Sequence, residues 1–218
     1  MNNQSNILLS TAYLPPIEYF IRMAGADSLL IEHEENYLKQ TYRNRCEIYS
    51  ANGKLPLVIP VIKTSGNHTP VKEIRIDNAE PWQLNHWRAI VSAYNHSPFF
   101  IYYRDAFEGF FLKEQTYLFD FNYEILLVVL RLLKFDQKPG FTKVYMKADV
   151  SLPNDFRYSI SPKKPTTLKA FPYQQVFSDR HGFLWNLSII DLLFNTGSDA
   201  GKILSSVAES HMEITHAG

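Results

Sequence analysis

The tightest constraint on the fold is a stretch of about 25 residues near the start of the chain, where two apolar runs flank a Pro-Pro step and a helical pattern. Ile7, Leu8 and Leu9 read as a short buried strand. Pro15 and Pro16 then open a helix over 17–26, with Ile17, Phe20, Ile21 and Ala24 at helical spacing. Residues 28–31 read as a second strand. Strand, helix and strand this close make a βαβ unit with parallel strands and a right-handed crossover. Ligands of such sheets bind beyond the carboxyl ends of the strands. The segments leaving those ends, 10–15 and 33–39, bring Tyr13, His33, Glu35, Tyr37 and Lys39 toward one region.

The rest of the chain adds antiparallel pairing and buried helices. Asn52-Gly53 separates extended segments 45–50 and 55–62, a hairpin signal, with Pro60 marking a bend or an edge. Residues 64–70 read as a polar loop, and 71–77 alternate as a half-exposed strand. Residues 82–94 form a helix with Trp82, Trp87, Ile90 and Tyr94 largely on one face. Residues 99–103 fit a strand or the start of a helix. Residues 122–135 are apolar almost all round, so that helix is buried. A late strand is expected over 143–148, an irregular proline-marked stretch over 152–173, and helices over 188–195 and 200–207. The fold class is α/β: a single domain over 1–218, with a mixed, partly parallel sheet flanked by helices.

Lys+Arg and Asp+Glu are both 22, and this balance argues against a nucleic-acid partner. The one cysteine excludes an intrachain disulfide and fits a reducing compartment. The start, MNNQSNILLS, lacks the basic region of a signal peptide, and the longest apolar run is too short to span a bilayer. A cytoplasmic protein without membrane insertion is expected. The histidines are scattered, so no metal site is expected. Nucleotide loops and standard nucleophile motifs are absent, and no cofactor is named.

In YLKQTYRNR, residues 37–45, three cations interleave with tyrosine and amide side chains. Period two puts Arg43, Arg45 and Glu47 on one face, with Asn44, Cys46 and Ile48 on the other. Arg43 or Arg45 could fork onto a phosphate or carboxylate, or Arg45 could pair with Glu47 on an exposed face. Lys39 could hold an anion or, once desolvated, act as a base; it could also be a surface lysine. His33 could be a general base or a hydrogen-bonded structural histidine. His86, beside Trp87, is expected to be a packed helix histidine, and Cys46 a buried, unreactive thiol.

Three blocks of the chain resemble the WbqC-like family. STAYLPPIEYF shares Tyr13, Leu14, Pro15, Tyr19 and Phe20 with the family's first block and departs from it at Ser10, Thr11, Pro16 and Glu18. YLKQTYRNR shares Tyr37, Lys39, Asn44 and Arg45, with Tyr42 replacing tryptophan. FLWNLSIIDLLFNTG shares Asn186, Leu187, Ser188, Asp191 and Gly197. The family often has aspartate where this chain has His33, so the resemblance does not imply a catalytic carboxylate there. It implies a role in O-antigen or other surface-polysaccharide biosynthesis, transferring glycine or another acyl or aminoacyl group to an amino sugar. On that reading His33, Glu35 and Lys39 are the catalytic candidates. Tyr13, Tyr37, Asn44, Arg45 and Asp191 are the substrate-binding candidates, and the partner is a small molecule such as a nucleotide sugar. Arg43 is left as a surface partner, and Asp191 as a buried counter-ion for Arg45 or Lys39. The alternatives are a non-catalytic binder of a nucleotide sugar or anionic metabolite, and a structural subunit of a biosynthetic complex.

Overall fold

The computed structural model of the chain describes residues 6–147 and 154–216. The expected opening unit is present. β1 (Asn6–Ser10) and β2 (Ser28–Glu32) pair in parallel, with Leu8 opposite Leu30, and α1 (Ile17–Ala24) joins them. Pro16 precedes the first helical turn, where its missing N–H is not needed. Ile17, Phe20, Ile21 and Met23 bury one face of α1.

β3 (Arg45–Ser50) and β4 (Gly53–Val58) form the hairpin, pairing Ser50 with Gly53. The turn is therefore Ala51-Asn52, and Gly53 takes a φ of 93° that a side chain would resist. The second expected strand is cut at Pro60. β5 (Val61–Ile62) leaves β4 and pairs instead with β6 (Arg75–Ile76). The strand expected over 71–77 survives only as β6. A 3₁₀ turn (Val71–Glu73) precedes it, because the Val71 N–H is taken by the Glu35 carbonyl at 2.8 Å.

α2 (Trp82–Tyr94) has the expected bounds and buries Trp82, His86, Trp87, Ile90 and Tyr94. The ambiguous segment that follows is helical, α3 (Phe100–Phe111). α4 (Leu118–Leu133) starts earlier than expected and ends where Lys134 turns left-handed at φ 59°. β7 (Gly140–Phe141) adds a third parallel strand beside β2. The late strand expected over 143–148 is not formed over 143–147; β7 begins three residues before 143 and is shorter. Beyond Phe141 the Thr142 hydroxyl and the Met146 N–H turn onto the Glu32 carboxylate, which ends the ladder; residue 148 lies outside the described residues.

Residues 154–173 are irregular, as expected, while 152 and 153 lie outside the described residues. α5 (Ser178–His181) is a single turn, followed by α6 (Ile189–Thr196) and α7 (Ala200–His216), which runs well past the expected residue 207. Gly197 between them is obligatory, since its φ is 62° and a Cβ would lie 2.5 Å from the Phe99 ring. Parallel and antiparallel pairing thus occupy separate small sheets: β1-β2-β7, β3-β4 and β5-β6. Helices flank them, and one contiguous apolar core runs through α1, α2, α4 and α6.

Candidate active site at the carboxyl edge of the parallel sheet

β1, β2 and β7 end at Ser10, Glu32 and Phe141, so the loops after them share one edge. Two buried ion pairs hold that edge together. Glu32 receives the Glu34 N–H at 3.0 Å, the Thr142 hydroxyl at 2.5 Å, the Met146 N–H at 3.2 Å and Arg157 Nη1 at 2.6 Å. Arg157 also forks onto Asp155 and donates to the Met146 carbonyl. Eight residues apart in the chain, Arg43 grips Glu35 with Nε at 2.8 Å and Nη2 at 2.5 Å. Tyr158 lies over both guanidiniums, at 5.9 Å from Arg43 and 5.4 Å from Arg157.

Arg43 is therefore not a surface residue. It is 2% exposed, and Asn122 Nδ2 fixes its carbonyl at 2.7 Å. The charge run turns inward here because Glu35 waits beneath it. Burial raises the Glu35 pKa, with Arg43 opposing the shift. Both Glu35 oxygens face the guanidinium, which makes this carboxylate an anchor for the 35–43 loop.

His33 and Glu34 form a second, more open arrangement. The His33 ring sits edge-on to Phe119 at 4.7 Å and near Phe141 at 5.5 Å, and its side chain is 30% exposed. Its Nδ1 lies 3.0 Å from Glu34 Oε1, and Lys72 holds both Glu34 oxygens at 2.6 and 2.8 Å. Lys72, then His33, lowers the Glu34 pKa, so this carboxylate stays ionised. An ionised carboxylate at Nδ1 selects the Nδ1–H tautomer and leaves Nε2 as a proton acceptor. Nucleophile-activating and general-base sites are built this way, with a base oriented by a third group.

Lys39 is exposed and lies within hydrogen-bonding reach of the Lys63 amine, which lowers the Lys63 pKa. Tyr37 is buried, tied through its N–H to the Thr69 carbonyl, and burial pushes its phenol up to about 12. Asn44 is buried too. Its Nδ2 faces the Ile59 carbonyl at 2.8 Å, and its Oδ1 has no partner among the described residues. Arg45 begins β3 opposite Val58; it is half-buried, and its Nε is also without a partner among the described residues. Glu47, the partner that one reading of the sequence offered Arg45, takes Lys54 instead at 2.9 Å.

Two candidates are engaged in other contacts. Tyr13 is wholly buried, its hydroxyl 3.0 Å from His86 Nδ1 and its ring 5.9 Å from Phe121. Burial lowers the His86 pKa to about 4, so this is the expected packed histidine, and neutral. Asp191 is not the counter-ion of Arg45 or Lys39. It accepts from Tyr94 at 2.9 Å, Tyr173 at 2.5 Å and Gln175 at 2.8 Å, and burial raises its pKa. Cys46 is buried, as expected, and burial raises its thiol pKa.

The first and third sequence blocks lock together. The Ile17 N–H donates to the Leu187 carbonyl at 2.9 Å, the Glu18 N–H to Asn186 Oδ1 at 2.8 Å, and the Ser188 hydroxyl to the Leu14 carbonyl at 2.8 Å. Leu14 itself sits at φ 40°, a left-handed conformation that costs a Cβ-bearing residue energy and that the Ser188 bond holds in place.

With the motif residues placed, the WbqC-like protein family matches residues 11–152. The chain belongs to the WbqC-like protein family. Among its relatives is the uncharacterized protein Rv1507c of Mycobacterium tuberculosis, 27% identical over 222 residues, covering 90% of this chain and 96% of that protein. No solved structure matches.

Sequence reasoning missed Glu32, Glu34, Lys72, Asn122, Thr142 and Arg157. The acidic run Glu32-His33-Glu34-Glu35 at a strand end was the available signal, since such a run needs cations, but Arg157 lies 125 residues away from Glu32. Among the described residues no group of three or more His, Cys, Asp or Glu side chains is arranged to hold a metal ion. None of the described helices is long and apolar enough to cross a membrane. Hollows of about 380 and 710 Å³ lie elsewhere, around Lys134, Phe135, Asp136 and Gln137 at the end of α4, with none of the motif residues in their walls.

Proposed function

We propose that the chain is an acyl or aminoacyl transferase of surface-polysaccharide biosynthesis, acting in the cytoplasm on the amine of an amino sugar. The observation that carries this reading is the His33–Glu34–Lys72 arrangement at the carboxyl edge. His33 Nε2 takes a proton from the amine as its nitrogen attacks the carbonyl carbon of the donor. A C–N bond forms, the bond from the carbonyl to the leaving group breaks, and the proton passes to the leaving group. Lys39, with Lys63 beside it, and Arg45 hold a phosphate or carboxylate of the substrate. Asn44, buried and tied to Ile59 through its side chain and its carbonyl, fixes the start of β3 and so positions Arg45. Family membership supports the biosynthetic setting. The contacts joining 14–18 to 186–188 support one family domain over the whole chain.

A second reading, a non-catalytic binder of a nucleotide sugar or anionic metabolite, rests on the same cations, Lys39, Lys63 and Arg45. One experiment separates the two. Nucleotide-linked amino sugars are screened for a rise in melting temperature, and each hit is incubated with acyl and aminoacyl thioesters and followed by mass spectrometry. Transfer lost in His33→Ala supports the enzyme. A shift lost in Arg45→Ala, with no transfer, supports the binder. No shift and no transfer across the panel rejects both.

A further inference from the structure

The segment after β7 combines two properties that seldom occur together. Its backbone is pinned: Thr142 Oγ1 donates to Glu32 at 2.5 Å and receives the His33 N–H at 3.0 Å. The Met146 N–H reaches Glu32 at 3.2 Å, and the Met146 carbonyl takes Arg157 Nη1 at 2.6 Å. Its side chains nonetheless stay partly open to solvent: the Phe141 ring packs on Tyr123 at 4.9 Å and Phe119 at 5.5 Å, the Tyr145 ring lies 5.7 Å from the Arg157 guanidinium, and Val144 stands in solvent. Val144 is 71% exposed, Tyr145 48%, Phe141 40% and Met146 38%. A segment tied this firmly to buried charge cannot easily turn those side chains inward, so the exposure is built into the fold. The strip starts at Phe141, whose ring is 5.5 Å from His33, and it lies at the same carboxyl edge as the proposed base.

We infer that residues 141–146 form the subsite for the acyl group of the donor, and that this group is an apolar chain of several carbons rather than glycyl. The inference rests on the acyl-transfer reading and names its substrate class. Continuity with His33 fixes the occupant: a chain whose carbonyl lies at the His33 nitrogen extends over Phe141 toward Val144 and Met146. A glycyl group would leave the strip uncovered, and its ammonium would gain nothing from apolar neighbours.

The test uses N-acetylcysteamine thioesters of acetic, butanoic and hexanoic acid with the full chain. Binding is read from the methyl resonance of Met146, one of four methionines in the sequence. Affinity is expected to rise by up to about fourfold for each methylene covered, with the Met146 resonance moving as the probe saturates. Val144→Glu, at a position open to solvent, is expected to keep the melting temperature and abolish the chain-length dependence. Equal affinity for acetyl and hexanoyl probes, or a chain-length dependence that survives Val144→Glu, overturns the inference. So does a Val144→Glu change from dimer to monomer in a chain that binds no probe, which would make the strip a self-association face. Transfer without chain-length dependence would sink this inference and leave the transferase reading intact. Chain-length-dependent binding without transfer to any amine would do the reverse.

Discussion

The carboxyl edge of the parallel sheet buries Glu32 and Glu35 against Arg157 and Arg43, whereas α6 buries Asp191 against three neutral donors, Tyr94, Tyr173 and Gln175. Burial raises the pKa of Glu35 and of Asp191 alike. The difference lies in what the partners do. Paired guanidiniums cost desolvation of two charges, and such pairs often stabilise no better than apolar side chains. They do fix geometry: Arg43 and Arg157 lock the loops that carry His33 and residues 142–146. The neutral donors at Asp191 come from α2 and the 173–175 loop, so Asp191 joins three parts of the scaffold without a second charge.

The largest expected effect is at the edge. Arg43→Ala leaves Glu35 buried and unpaired, and urea unfolding is expected to show a loss of about 3–5 kcal/mol. Replacing both by leucine is expected to recover most of it. A single-variant loss as small as that of a surface pair would break the contrast.

Acid titration sharpens it next. A raised carboxyl pKa means that the folded state takes up its proton first, so acidification does not draw stability from Glu35 or Asp191. His86 works the other way. Its folded pKa is about 4 against an unfolded 6.5, so between those values the unfolded state binds more protons. Stability is then complete above pH 6.5 and falls by on the order of 3 kcal/mol as pH drops toward 4. His86→Gln is expected to flatten that slope; an unchanged slope would mean that the carboxylates drive acid unfolding after all.

Smaller effects are expected from the neutral hub and from the surface pair. Asp191→Asn keeps the shape but sets an amide N–H₂ against donors, costing about 1–3 kcal/mol in chemical denaturation. Lys72→Met, in a pair that is partly exposed on both sides, is expected to leave the denaturation midpoint close to that of the wild type. Its effect should appear in turnover, because Glu34 then loses the contact that holds it beside His33.

Much of the frame was legible in the sequence. The βαβ opening and α2 follow from periodicity and from Pro16, and the hairpin from Gly53. Short elements set by single long-range bonds were not. β7 is displaced because Glu32 captures Thr142 and Met146, and 71–73 form a turn because Glu35 captures the Val71 N–H. The candidate site was legible only as a region. His33, Lys39, Asn44 and Arg45 fall in loops or at a strand start after β2, as their spacing suggested. Arg43 was misplaced because a charge run is normally solvated, and nothing local reveals that Glu35 turns inward to meet it. Asp191 was misassigned because its partner Tyr94 lies 97 residues away and is neutral.

The most direct test of the proposed division between a catalytic edge and a structural hub is transfer per folded molecule, measured side by side in His33→Ala and Asp191→Asn with a thioester and amino sugar between which the screen detects transfer. The expected result is that His33→Ala melts like the wild type and transfers at least about 100-fold more slowly, while Asp191→Asn melts earlier and transfers at the wild-type rate wherever it is folded. Wild-type transfer by His33→Ala, or a folded Asp191→Asn that cannot transfer, would contradict it.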